Sequence, residues 1–155
     1  MNDSINKAIE AGFRKVDTDR EKLAAAETKK RDDQTWFDQF VVDTLTPHFK
    51  AWADIARDRL GTTFAISGKH EGNVHHMIGV NTRDIPTSNP NDDGSQTTHF
   101  SVAMNRHGTE LEVSTRLAGF SDGPFTVPLR APFATVEEHF TKWVTAVSEN
   151  CRRRQ

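Results

Sequence analysis

The residues best suited to chemistry in this chain sit in the stretch HEGNVHH, which gathers His70, Glu71, His75 and His76. Imidazole nitrogens bind zinc, and a carboxylate can complete the set. The spacing matches no recognised zinc pattern, and a further ligand such as Asp93 or His99 has to come from elsewhere in the fold. His70, His75 and His76 are therefore the metal candidates, set against the simpler reading of a polar hairpin tip.

Other chemistries find less. Asn89-Pro90-Asn91-Asp92-Asp93-Gly94 places oxygen donors before a glycine, as the first half of a calcium loop does. Its twelfth position is Phe100, where a bidentate glutamate is required. An Asn/Asp turn accounts for it better. Cys151 precedes Arg152, Arg153 and Arg154, which would favour a thiolate, but it has no companion cysteine. No GxSxG elbow occurs. The stretch Gly119 to Gly123 lacks the Lys-Ser/Thr of a phosphate loop. Asp32-Asp33, Asp92-Asp93 and Glu137-Glu138 are adjacent pairs, and adjacent residues on a helix do not face one another. No catalytic residue is named and no cofactor is expected. The balance of residues favours a non-catalytic protein over an enzyme.

Bulk properties agree. The chain has 155 residues, 27% charged and 35% hydrophobic, with 20 basic against 22 acidic side chains. This suits one domain, or one domain with an arm. A net charge of −2 argues against a polyanion partner, and the basic triplets Lys29–Arg31 and Arg152–Arg154 are too short for a nucleic-acid platform. No apolar run approaches the length of a membrane span. The opening MNDSINKAIEAGF lacks the apolar core of a signal peptide, and a single cysteine gives no sign of secretion. The expected location is cytoplasmic.

The elements that must position any site follow from periodicity. Residues 1–35 carry eight basic and eight acidic side chains, with Glu10–Arg14 and Glu27–Arg31 at i,i+4. Ile5, Ile9, Phe13, Val16 and Leu23 form a narrow stripe. Ile9, Val16 and Leu23 repeat every seven residues, while the companion positions Gly12, Asp19 and Ala26 make a poor seam. This reads as a charged helical arm that docks on a protein partner or on a second copy. Residues 36–60 form a second helical stretch. Phe37, Val41, Leu45, Phe49, Trp52, Ala56 and Leu60 fall in one arc of roughly 140°. Trp36 and Phe40 lie toward the arm side of that arc. Gly61 is placed for a left-handed cap. Pro47 either starts a new helix after Thr46 or interrupts one continuous helix. The apolar phase is unbroken across it, so a continuous, kinked helix is expected.

After Gly61 the period changes to two. Strands are expected at about 62–70, 74–82, 97–105, 109–118 and 124–130. Apolar matching sets Ile66 opposite Val80, and pairs Met104 with Leu111 and Val102 with Val113 across a two-residue His107-Gly108 turn. Residues 82–98 read as a long loop. AGFSDGP reads as a connection, and Pro128 marks an edge strand. Thr135 to Glu138 is a capping-box pattern opening a helix over 135–151. The expected fold is α+β: a long N-terminal helical region, a five-stranded antiparallel meander with one face covered by helices, and a C-terminal helix. Residues 36–155 would form a single α+β domain.

The expected function is a non-catalytic interaction or adaptor protein, self-associating or docking through the arm. Its contact residues are Ile9, Phe13, Val16, Leu23, Trp36 and Phe40. The alternative is a ligand-binding or enzymatic domain with a pocket between sheet and helices, lined by Trp52, Phe100, Val113 and Trp143.

Overall fold

The computed structural model describes residues 2–67, 77–82, 98–117 and 120–153. It is an α+β structure with a long N-terminal helix, an antiparallel sheet and a C-terminal helix, as the periodicities predict. Two compact units divide the chain, residues 1–35 and 36–155. None of the described helices is long and apolar enough to cross a membrane.

Helix α1 runs Asn2–Phe40 and helix α2 runs Thr46–Leu60, with a π-helical turn over Val41–Leu45 between them. That turn answers the question posed by Pro47. Proline offers no amide hydrogen, and in a regular helix its ring meets the carbonyl four residues back, on Asp43. The chain widens by one residue just before it. The Thr46 amide donates to the Val41 carbonyl, five residues back, while Leu45 and Thr46 keep right-handed helical dihedrals. No new helix start interrupts the backbone. Single π-turns are a recognised way to absorb a misfit inside a helix. Gly61 then closes α2 in the left-handed region at φ 66°.

The strands are β1 (Ala65–Ser67), β2 (Met77–Thr82), β3 (Thr98–Met104), β4 (Glu110–Leu117) and β5 (Phe120–Pro128), hydrogen-bonded in sequence order and antiparallel throughout. Ile66 pairs with Val80, Met104 with Leu111, Val102 with Val113 and Phe100 with Thr115. These are the registers that apolar matching demands, because a slip of one residue would turn every core side chain to the other face.

Three local expectations are corrected. The β3–β4 turn is not a two-residue turn at His107-Gly108. Asn105 organises a wider one. Its amide donates to the Glu110 carbonyl, its carbonyl accepts from Gly108, and its Oδ1 accepts the amides of Thr109 at 2.8 Å and Glu110 at 3.2 Å. The side chain closes the turn, as asparagine readily does. Second, AGFSDGP is not simply a connection, since β5 begins at Phe120. A register shift between Val113 and Thr115 on β4, with Gly123 at φ 93°, lets this turn-like composition stay paired. Third, the last helix, α3, spans Phe133–Arg153 and so begins before the Thr135 capping box. The Thr135 amide bonds the Pro132 carbonyl at 2.9 Å, so Thr135 lies within the first turn.

The core lies within residues 36–155. Phe100, Val102, Met104, Leu111, Val113 and Val127 alternate along the strands and are buried. Phe49 from α2 and Phe140 from α3 meet Phe100 edge-on, at 5.9 and 5.0 Å between ring centres. Trp143 lies across the same cluster and donates its indole hydrogen to the Arg116 carbonyl at 3.1 Å. Burying an indole requires such a partner.

Candidate functional site

In the first unit, the stripe foreseen from sequence faces water. Ile5, Ile9, Phe13, Val16 and Leu23 are 53%, 48%, 66%, 48% and 62% exposed. Helix formation here rests on local terms such as the Glu10–Arg14 pair at 3.9 Å. Such an exposed pair contributes only a few tenths of a kcal/mol.

In the second unit, Trp36 and Phe40 are half-buried and pack against the core. Their rings stack at 5.1 Å, Phe40 meets Phe133 edge-on at 6.3 Å, and the Arg130 guanidinium lies 6.0 Å from the Trp36 ring. Their exposed edges remain available, but part of each ring has a structural role.

His70, His75 and His76 lie outside the described residues. Among the described residues, no group of three or more His, Cys, Asp or Glu side chains is placed to hold a metal ion. Cys151 is half-buried and packs against the core within α3.

The four residues named for a pocket do not line one together. Phe100 and Val113 are fully buried and Trp143 nearly so. Trp52 meets Trp143 at 5.1 Å and Phe64 at 4.4 Å. Their rings fill the space between sheet and helices. Concavities open instead at two margins of that core.

One cleft, of about 520 Å³, opens between β4, β5 and α3. Leu117, Phe125 and Trp143 provide its apolar surface; Asp122, His139 and Lys142 provide charge and hydrogen bonding. His139 stacks on Phe125 at 4.6 Å, and Lys142 donates to Glu138 at 3.1 Å. This set can hold a small polar–apolar molecule. Among the described residues, no hydrogen bond joins its Ser121, Asp122 and His139 into a nucleophile–base–orienter chain.

A second groove, of about 500 Å³, runs between α2 and α3. Trp52, Ile55, Leu60 and Val144 form its walls, over buried Ala56, and Arg59 and Arg152 border it. Comparison with protein-family models, curated proteins and solved structures finds no match. The geometry of the chain itself therefore carries the functional argument.

Sequence reasoning passed over both margins. His139, Lys142, Arg59 and Arg152 are polar or charged residues on helices, where charge is ordinary. Ile55, in the wall of the second groove, is 53% exposed. An apolar residue left in water at a helix margin was the available signal.

The sheet face opposite the helices also carries a titratable group. Cross-strand pairing sets His99 beside Arg116 and Ser101 beside Ser114. His99 is held below the ordinary histidine value, first by burial and then by the Arg116 guanidinium. The unfolded chain, at 6.5, binds a proton more readily than the folded one. His99 therefore lets stability fall as pH drops below 6.5 toward its lowered folded value, with no penalty above 6.5. Urea denaturation at about pH 7.5 and about pH 5 should show this loss, and His99→Gln should reduce it. An unchanged acid limb in the variant would remove His99 from the explanation.

Proposed function

We propose that the chain is a non-catalytic protein-interaction or adaptor protein that self-associates or docks through its N-terminal helical arm, residues 1–35. The observation that carries this is the exposed stripe of Ile5, Ile9, Phe13, Val16 and Leu23, each 48–66% open to water. Large apolar side chains lined up on one exposed helix face gain most from a second apolar surface. Each one buried against a partner contributes on the order of 1 kcal/mol. Gly12, Asp19 and Ala26 keep the seam narrow, which favours moderate affinity over a permanent coiled coil.

The partner is a protein or a second copy of this chain. The arm's basic and acidic residues balance, eight against eight, giving neither a nucleic acid nor an anionic membrane a net handle. In the unit 36–155, a five-stranded meander with α2 and α3 on one face acts as the folded body. Trp36 and Phe40 offer that unit a contact patch of its own. A cytoplasmic setting suits a chain with a single thiol.

The test is light scattering across a concentration series with full-length protein. Self-association predicts a mass above 17.4 kDa that falls to the monomer value in the double variant Phe13→Asp, Leu23→Asp. Both positions are exposed, so the substitutions should leave the melting of residues 36–155 unchanged. If the wild-type chain is monomeric, a captured protein partner should be lost in the same variant. A monomeric chain whose partners are unaffected by the substitutions refutes the assignment.

A further inference from the structure

The arm exposes a narrow apolar stripe, and the unit 36–155 exposes an apolar groove. Ile5, Ile9, Phe13, Val16 and Leu23 are 48–66% open to water. The groove between α2 and α3, of about 500 Å³, has Trp52, Ile55, Leu60 and Val144 in its walls, and Ile55 is itself 53% exposed. Both surfaces remain open to water in the single chain.

The form of the stripe decides which surface suits it. Pairing with the stripe of a second arm needs two apolar seam positions per heptad. The arm supplies one, because Gly12, Asp19 and Ala26 hold the other. A groove between two helices asks less of an incoming helix. It receives a single row of side chains at helical spacing and provides the walls on both sides itself. Ile5, Ile9, Phe13 and Val16 make such a row, in steps of four, four and three residues, and Arg20 ends it. That row covers about 17 Å of helix axis, and the groove residues 52–60 and 144–152 run about 12 Å along each helix. Charge agrees. Asp17 and Asp19 stand about 90° and about 70° to either side of the stripe. Arg59 is exposed in the groove lining, so a carboxylate flanks the rim in either direction of the helix.

We propose that the arm of one copy seats in the α2–α3 groove of a second copy, with Ile5, Ile9, Phe13 and Val16 against Trp52, Ile55 and Val144. This rests on the reading of the arm as an association element and names the surface it takes. The contact joins two different surfaces, so each copy can give its arm and offer its groove at once.

The experiment compares full-length protein with two full-length variants by light scattering. The arm variant carries Ile9→Asp and Phe13→Asp; the groove variant carries Ile55→Asp and Arg59→Glu. All four positions are exposed, so both variants should keep the wild-type melting of residues 36–155. Wild-type protein should associate above 17.4 kDa, and each variant alone should stay at that mass. Mixed, the two should form a one-to-one complex, since one still has its groove and the other its arm. In that mixture the Trp52 indole signal of the isotope-labelled arm variant should shift, because its groove is the one filled. Val42→Asp, 64% exposed and outside the groove lining, should associate like wild type. A groove variant that still self-associates overturns the proposal in favour of arm-to-arm pairing, and the function proposed above would survive it. Variants that stay monomeric when mixed overturn it as well. So does a wild-type chain that is monomeric at every concentration. Equal weakening by Val42→Asp and by the groove substitutions would mean unspecific apolar contact and also overturn it.

Discussion

Phe140→Ala lowers the free energy of unfolding by about 3–5 kcal/mol, the range for removing a buried aromatic ring. The expectation rests on where this ring sits. Phe140 is 4% exposed and meets Phe100 of the sheet at 5.0 Å. It also meets His48 at 5.1 Å, Phe49 at 5.3 Å and Trp52 at 5.6 Å, all on α2. Trp143, on its own helix, completes the surroundings at 5.8 Å. One side chain thus joins α2, α3 and the sheet, and no neighbour can move into its space without leaving another gap. Urea denaturation should show a lower midpoint with an unaltered slope. Phe140→Leu keeps most of the volume and should cost much less, about 1.5 kcal/mol. A small loss for the alanine variant would mean the cluster collapses around the hole, and the ring would lose its central role.

The second large effect belongs to a backbone position. Gly123→Ala should cost about 2–4 kcal/mol, combining strain with overpacking. Gly123 has φ 93°, a conformation that L side chains rarely adopt. A Cβ there would stand 2.9 Å from the Phe125 amide nitrogen and 2.9 Å from the Val113 carbonyl oxygen. Both are backbone atoms beside the β4–β5 register shift, so neither can rotate away. Gly61 provides the contrast. It also has positive φ, at 66°, but no atom lies within 4 Å of its would-be Cβ. Gly61→Ala should therefore cost only the left-handed term, about 1 kcal/mol. Denaturation curves for the two variants separate crowding from conformation. Equal losses would show that the close approach at Gly123 relaxes without cost.

Much of the fold could be read directly because its signals are periodic. The alternation of Phe100, Val102 and Met104 against Leu111 and Val113 admits one register with the apolar faces matched, and the structure has it. Of the arc, Phe37, Leu45, Phe49 and Ala56 are buried, while Val41, Trp52 and Leu60 are half-buried and pack against the core. The apolar phase likewise carried the helix across Pro47. The π-turn at Val41–Leu45 was not foreseen, because it is a response of hydrogen bonding to a missing amide, and composition has no separate mark for it.

What escaped sequence reasoning shares one cause. His48 falls inside the apolar arc but has a polar side chain, and its ring lies edge-on to Phe133 and Phe140 at 5.0 and 5.1 Å. Phe120 to Gly123 has the composition of a loop, and pairing with β4 made it strand. Trp36 and Phe40 were named as candidates for contact with another surface, while Phe133, nearly a hundred residues later, meets Phe40 edge-on. Each depends on a neighbour remote in the chain.

The same division applies to the sites. The amino-acid sequence alone determined the stripe of Ile9, Phe13, Val16 and Leu23, because a helix face is set by residues three and four apart, and local spacing suffices to find it. Only the tertiary structure decided that Arg59 and Arg152 border one apolar groove. They lie on helices separated by the whole sheet in sequence, and α2 and α3 pack together only once both bury their aromatic rings against it.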